Sequence, residues 1–232
     1  MFDPTAGEPV TADLARPELR LWRPWPATLR SSFYRRRGKR LLDVAFVLVG
    51  LPVILLVIVA AALAIALDGG RPFFAQDRLG QGGRVFRLWK LRTMVPDAQE
   101  ALERHFAENP QARLEWETYQ KLRHDPRITH VGGFLRRTSL DELPQLWNVL
   151  RGDMSLVGPR PMLPEQYALY PGKAYLELRP GLTGPWQISE RHGGAFAGRG
   201  RYDDAYARDL SLAADLRIIS ATFDVVARAK GQ

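Results

Sequence analysis

The chain of 232 residues contains no cysteine. This absence excludes disulfides, thiol nucleophiles and cysteine-based metal sites, and it is compatible with any cellular compartment. The four histidines, His105, His124, His130 and His192, show neither HxxxH nor HExxH spacing, so the sequence does not predict a zinc site. Lysine is also scarce, because five of the 33 basic residues are lysine and the rest are arginine. Arginine suits bidentate contacts with phosphate, but a compositional bias of the genome would give the same count, and both explanations stay open.

Basic residues outnumber acidic ones and give a net charge of +8. This charge favours anionic partners, namely nucleic acid, an acidic membrane surface or a phosphorylated ligand. The length favours one domain with an accessory segment. Residues 1–34 show no hydrophobic periodicity and no apolar core of the kind found in signal peptides, so we expect a flexible lead-in there.

A long apolar run follows a basic cluster at residues 35–40. Residues 44–67 contain no charge, and 24 residues of helix would be about 36 Å long, enough to cross a hydrocarbon layer of about 30 Å. Three interpretations are open: a single membrane span, a buried core helix, or a hairpin that enters and leaves on one face. Pro52 favours the hairpin, because a proline inside a helix removes a hydrogen bond and bends it. Basic residues on both flanks of the run also favour the hairpin, because basic residues prefer the cytoplasmic side and both ends would then lie there.

Beyond the apolar run, we predict short strands at residues 72–76 and 85–92, joined by a glycine-rich turn that either closes a hairpin or cradles phosphate. Residues 97–122 predict a helix interrupted at Asn109-Pro110, packed on the domain or lying at a membrane interface. We predict a further strand at 174–178 and one or two amphipathic helices at 202–229.

Adjacent carboxylates, Asp141 and Glu142, stand at the centre of the chain. We predict a short helix at 142–150, and Pro144 favours Asp141 over Ser139 as its N-cap, because proline is tolerated only in the first turn. Asp141 therefore has an ordinary explanation as a helix cap. A catalytic explanation uses the same position, because a helix N-terminus attracts phosphate oxygens.

The residues around the acid pair suit phosphate chemistry. Arg136 and Arg137 could neutralise a diphosphate, and the two carboxylates could hold Mg²⁺, which prefers carboxylate and phosphate oxygens. Asp141 could also act as a nucleophile that forms an acyl phosphate.

Five ordered motifs resemble the bacterial sugar transferase family, the monotopic polyprenyl-phosphate phosphoglycosyl transferases. They are Lys39-Arg40-Leu41-Leu42-Asp43, Leu88-Trp89-Lys90-Leu91-Arg92-Thr93-Met94, Leu135–Leu146, Gly152–Pro161 and Arg179-Pro180-Gly181-Leu182-Thr183-Gly184. The resemblance covers residues 36–230. Larger members carry an additional block of membrane helices, so we expect the minimal catalytic form here. The family's membrane helix breaks at a small residue followed by proline, whereas this chain has Leu51-Pro52.

The resemblance implies a mechanism for these residues. Asp141 would attack the β-phosphate of a UDP-sugar and release UMP, and polyprenyl phosphate would then take the sugar phosphate from the aspartate. Glu142 would bind Mg²⁺ with Asp141 or assist the lipid phosphate. We expect the substrate phosphates to be bound by Arg136, Arg137, Arg160, Lys90 and Arg191. In the family the loop at residues 190–201 lies near the nucleotide, so Arg199 or Arg201 could reach the phosphates instead of Arg191, and a merely solvated loop is the alternative.

We therefore predict an α+β, monotopic membrane enzyme with Mg²⁺ as cofactor. Residues 1–34 would be the lead-in, residues 35–70 a basic flank and a re-entrant helix broken at Pro52, and residues 71–232 a catalytic domain on the cytoplasmic face of the bacterial inner membrane. Expected partners are a UDP-sugar, polyprenyl phosphate and the bilayer, with a homodimer left open. The alternatives are an inactive scaffold and a basic module for nucleic acid. No helix-turn-helix or RNP pattern supports the second, so we expect no nucleic acid partner. No motif predicts which sugar is transferred.

Overall fold

The computed structural model describes residues 33–119, 122, 124–189 and 196–227. Arg191 therefore lies outside the described residues, and so does the predicted lead-in apart from Phe33 and Tyr34. The predicted domain boundaries stay a prediction. The helices are α1 (Lys39–Leu67), α2 (Ala98–Glu108), α3 (Pro110–Tyr119), α4 (His130–Thr138), α5 (Gln145–Arg151), α6 (Pro185–Ser189), α7 (Arg199–Asp209) and α8 (Leu212–Ala227). The strands are β1 (Phe73–Leu79), β2 (Val85–Leu91), β3 (Ser155–Val157) and β4 (Gly181–Thr183). This mixture of helices and two small sheets agrees with the predicted α+β class.

The apolar run forms one helix, α1, which contains Pro52 and is long and apolar enough to cross a membrane. Most of its side chains are exposed, Val49 to 84% and Leu56 to 73%. Near its two ends, however, Val47 and Ile65 are buried in separate apolar clusters of the globular part. Both ends of α1 therefore pack on the same domain, and between them Ile54 also packs against the main cluster while most other side chains are exposed. Re-entry into one membrane face stays a prediction.

Polar side chains attach the start of α1 to the domain. Asp43 accepts hydrogen bonds from Ser155 Oγ at 3.0 Å and from the Leu156 amide at 2.9 Å. Lys39 Nζ lies 2.6 Å from Asp215 Oδ2 on α8. The first turns of α1 are thus joined to β3 and to the C-terminal helix.

The predicted hairpin is confirmed. β1 and β2 pair antiparallel from Phe73 opposite Leu91 to Leu79 opposite Val85. The turn between them contains Gly82 at φ 68° and Gly83 at φ 80°. Positive φ is unfavourable for residues with a Cβ, so the glycines permit this tight turn.

The second sheet joins distant segments. β3 and β4 pair parallel, with Ser155 opposite Gly181 and Val157 opposite Thr183. They adjoin the main apolar core, which also receives Leu146 and Val149 from α5.

Two local predictions are wrong. Residues 174–178 form a 3₁₀ turn, Tyr175–Glu177, and not a strand, because Tyr175 and Leu176 are buried side by side instead of alternating. The central helix does not begin at 142. A 3₁₀ turn, Leu140–Glu142, comes first, and α5 then starts after Pro144. Asp141 is therefore not the N-cap of this helix.

The other helical predictions are confirmed. Within the predicted range 97–122, α2 and α3 meet at Asn109-Pro110, and the C-terminal region contains α7, which begins at Arg199, and α8.

Candidate active site

The acid pair lies in a 3₁₀ turn between α4 and α5. Ser139 ends α4 in the left-handed conformation, at φ 58°, just before the turn that carries the pair. Asp141 is buried, with 7% of its surface exposed, and Glu142 is half-buried. An ionised carboxylate at such depth needs nearby cations or hydrogen-bond donors.

Lys90 supplies one of these cations. Its Nζ lies 3.0 Å from Glu142 Oε1 and 3.8 Å from Asp141 Oδ2. Asn148 of α5 holds the strand that carries Lys90, because it donates to the Arg87 carbonyl at 2.8 Å and accepts from the Trp89 amide at 3.1 Å. This clamp joins β2 to the helix that follows the acid pair.

The charges set the ionisation of the nucleophile candidate. Burial raises the pKa of Asp141, and the neighbouring Glu142 raises it further. Lys90, Arg136 and Arg160 act in the opposite direction and lower the pKa of this carboxyl. Asp141 is thus a buried acid whose anion depends on the surrounding cations.

Arg136 reaches the site from the last turn of α4. Its Nε donates to Thr93 Oγ1 at 2.9 Å, just beyond β2. Burial lowers the pKa of Arg136, whereas the charge of Asp141 raises it. Gly132 allows α4 to come this close, because a methyl group there would overlap the Thr93 backbone.

Arg160 approaches from the Gly-Pro-Arg-Pro turn after β3. Its Nη2 lies 3.9 Å from Glu142 Oε1. Lys90, Arg136 and Arg160 therefore surround the acid pair from three separate elements, although they are far apart in the chain.

Arg137 is placed differently from its neighbour. It is exposed and, within the described part of the chain, makes no ion pair with the acid pair. It lines a cavity of about 460 Å³ together with Arg136, His105, His124 and Asp125. This cavity adjoins the site through Arg136.

Sequence reasoning missed Arg78 as a member of the site. No local pattern separates it from the arginines that flank a membrane segment. Its place depends on the backbone bond from the Leu79 amide to the Met162 carbonyl at 3.0 Å, which brings the end of β1 beside the Arg160 turn.

The donor set fits Mg²⁺ bound together with substrate. Among the described residues, no group of three histidine, aspartate or glutamate side chains could hold a metal alone. Mg²⁺, however, uses one or two carboxylates and takes its remaining oxygens from phosphates and water. Asp141 and Glu142 would supply the carboxylates.

Known proteins resemble the chain over most of its length. The profile of a family described as bacterial sugar transferase matches residues 34–229. The exopolysaccharide production protein ExoY of Rhizobium meliloti is 45% identical over 200 residues, 84% of this chain and 87% of that protein. The UDP-galactose-lipid carrier transferase of Erwinia amylovora is 43% identical over 202 residues, 84% of this chain and 42% of that protein. The undecaprenyl-phosphate galactose phosphotransferase of Salmonella typhimurium is 44% identical over 186 residues, 77% of this chain and 39% of that protein. The chain thus spans less than half of the last two relatives.

Proposed function

Because the chain belongs to the bacterial sugar transferase family, we propose that it moves a sugar 1-phosphate from a UDP-sugar to a polyprenyl phosphate such as undecaprenyl phosphate. The product, a polyprenyl diphosphate sugar, would initiate assembly of a surface polysaccharide or glycoconjugate. The observation that carries this proposal is the buried carboxylate of Asp141, with Lys90 Nζ at 3.8 Å and Arg160 beside its neighbour Glu142. A nucleophilic acid among fixed cations suits a reaction in which phosphate charge moves.

In the first half-reaction, an Asp141 carboxylate oxygen bonds to the β-phosphorus of the donor. The bond from that phosphorus to the bridging oxygen breaks, and its electron pair leaves with UMP. Lys90 and Arg160 neutralise the phosphate oxygens, so the carboxylate can approach an anion. The sugar phosphate then remains on the aspartate as a mixed anhydride.

In the second half-reaction, an oxygen of polyprenyl phosphate bonds to the same phosphorus and the aspartate leaves. Glu142, half-buried and next to Asp141, can accept a proton from the lipid phosphate. Mg²⁺, held by Asp141 and Glu142, would neutralise phosphate charge when bound. The two steps share one site and give ping-pong kinetics.

The apolar helix supports a location at the bilayer. Val47 and Ile65, near opposite ends of α1, are both buried against the globular domain, and the residues between them are mostly exposed. We therefore propose that both arms of α1 enter from one face, the cytoplasmic face of the inner membrane. A UDP-sugar would then reach the site from the cytoplasm and the polyprenyl phosphate from the membrane.

The direct test is a transfer assay. The purified protein, with Mg²⁺, labelled UDP-sugars and undecaprenyl phosphate, should release UMP and form labelled lipid. Asp141→Asn should abolish both products, whereas Asp97→Asn, a control at an exposed aspartate, should retain them. If Asp141→Asn keeps full activity, the proposed nucleophile is wrong, and if no donor yields lipid, the transferase proposal fails.

A further inference from the structure

Three arginines from separate elements lie close together, and one of them, Arg160, reaches the acid pair. They are Arg78 near the end of β1, Arg160 after β3 and Arg199 at the start of α7. Burial lowers the pKa of Arg78 and that of Arg199, the latter to about 10, and the charge of Arg160 lowers both further. The three cations are therefore near enough to repel one another, and their assembly has an electrostatic cost that a bound anion would offset.

The fold forces Arg78 and Arg160 together. The buried Tyr175 hydroxyl donates to the Leu79 carbonyl at 2.7 Å and accepts from the Met162 amide at 3.1 Å. Leu79 follows Arg78 directly, and Met162 lies two residues after Arg160. One side chain thus ties the end of β1 to the Gly-Pro-Arg-Pro turn.

Arg199 is held flat between two rings. Its guanidinium carbon lies 4.3 Å from the ring centre of Trp186 and 4.5 Å from that of Phe196. The start of α7 is fixed by a close backbone contact, since a Cβ on Gly200 would lie 2.6 Å from the amide nitrogen of Gly172. Aromatic faces orient the arginine and leave its N–H groups for another acceptor.

Arg78 and Arg199 lack a close carboxylate partner among the described residues, although Arg78 Nη2 donates to Gln76 Oε1 at 2.8 Å and the charge of Glu165 raises the pKa of Arg78. Within the described residues, neither Arg78 nor Arg199 has a carboxylate within 4.0 Å, and Arg199 Nε is buried without a hydrogen-bond partner. Asp203 lies near enough to Arg199 to raise its pKa, but its Oδ2 already accepts from the Tyr170 hydroxyl at 2.9 Å. Burial also raises the pKa of Asp203 to about 7, so its charge is incomplete near neutral pH.

We propose that Arg78 and Arg199 bind the α-phosphate of the nucleotide donor, the phosphate that departs with UMP. This inference rests on the proposed function. Of the three arginines, Arg160 is the one beside the acid pair, at 3.9 Å from Glu142. It would therefore bind the β-phosphate, which Asp141 attacks. As the bond between the β-phosphorus and the bridging oxygen breaks, charge grows on the α-phosphate, and Arg78 and Arg199 stabilise that charge.

This assignment separates the two half-reactions. The α-phosphate is present when the UDP-sugar reacts and absent when polyprenyl phosphate attacks the aspartyl phosphate. Arg78 and Arg199 should therefore govern the donor and the leaving nucleotide, and they should not affect the lipid acceptor. A merely structural role would disturb both substrates alike.

The test compares Arg78→Gln and Arg199→Gln with matched controls, Arg84→Gln after the same hairpin turn and Arg208→Gln on the same helix. Both control positions are exposed. In the full chain, we expect the kcat/KM for UDP-sugar to fall and the inhibition constant of UMP to rise, each by about tenfold or more, in the two test variants. The kcat/KM for undecaprenyl phosphate, which in ping-pong kinetics reports the second half-reaction alone, should stay within about twofold, as should all constants of the controls. Unchanged donor constants, or equal losses of kcat/KM for donor and acceptor, would overturn the inference.

A second measurement keeps this test independent of the transfer assay and of folding. UMP binding is measured by calorimetry on the same preparations, with Arg199→Lys added, which keeps the charge but loses the flat guanidinium. If the wild type transfers no sugar yet binds UMP, and the two test variants lose that binding, the proposed function fails while the α-phosphate site stands. If the wild type transfers sugar and every folded variant binds UMP normally, the α-phosphate site alone is refuted. A UMP affinity of Arg199→Lys between those of the wild type and Arg199→Gln would support a role for the stacked guanidinium.

Discussion

Removal of the Lys39 ammonium should strongly destabilise the protein. Lys39 Nζ lies 2.6 Å from Asp215 Oδ2 and 2.9 Å from the Tyr206 hydroxyl. The Tyr34 hydroxyl donates to the same Asp215 oxygen at 2.6 Å, and Tyr206 donates to the other one. In Lys39→Met, the carboxylate would keep two neutral donors but lose its counter-ion.

The magnitude follows from the burial of this pair. The Lys39 side chain is 11% exposed and that of Asp215 is 1% exposed, so solvent does not screen the interaction appreciably. Removal of one partner from a buried ion pair costs about 3–5 kcal/mol, because the other charge remains without compensation. For a chain of this size, about 1 kcal/mol corresponds to about 2–4 °C in Tm. We therefore expect Lys39→Met to lower the Tm by about 6–20 °C.

Thermal unfolding of the purified protein in one fixed detergent measures this effect. Arg37→Met is the matched control, because it removes an exposed charge from the same basic cluster and should change stability by about 0.5 kcal/mol or less. The double variant of Lys39→Met with Asp215→Asn should be more stable than the sum of the single effects predicts. A Tm decrease for Lys39→Met as small as that of the control would refute the view that this pair joins α1 to α8.

Three further predictions concern the site and the membrane helix. Since burial raises the pKa of Asp141 and its anion is the proposed nucleophile, we expect UMP release to fall as the pH drops through that raised pKa. Lys90 lowers this pKa, so in Lys90→Gln the fall should begin at higher pH, and an unshifted pH–rate profile would contradict the assignment. Gly132→Ala should reduce the transfer rate at least about tenfold and lower the Tm, because its methyl group would overlap the Thr93 backbone just beyond β2. The control Gly133→Ala should leave the rate and the Tm nearly unchanged, because the atoms nearest to its methyl group would lie 3.9 Å away. Single cysteines at Arg37 and in the β1–β2 turn should react with an impermeant reagent from the same side of intact cells and vesicles, and opposite sides would refute re-entry.

Local patterns in the sequence sufficed for the elements that local chemistry determines. The β1–β2 hairpin follows from a glycine-rich turn between two apolar segments, and Asn109-Pro110 marks the break between α2 and α3. The acid pair and Lys90 were predicted as site residues from their motifs, and the structure brings them together.

Other features depend on non-local contacts or on unusual backbone geometry. The 3₁₀ turn before α5 follows Ser139 in the left-handed conformation, which is uncommon for a residue with a Cβ, and the argument from Pro144 assumed a regular α-helix. The parallel pairing of β3 with β4 joins segments about 25 residues apart, and Arg78 comes near Arg160 through the Leu79–Met162 backbone bond and the Tyr175 hydroxyl. No sequence window contains either contact.

The covalent intermediate is the most direct test of the proposed chemistry. The purified protein is incubated with UDP-sugar and Mg²⁺ without any polyprenyl phosphate, and its intact mass and the released nucleotide are measured. We predict UMP release of up to one equivalent and a sugar phosphate adduct on the peptide that contains Asp141, and addition of undecaprenyl phosphate should remove the adduct. UMP release that requires the lipid from the start, with no adduct on the protein, would contradict the two-step mechanism.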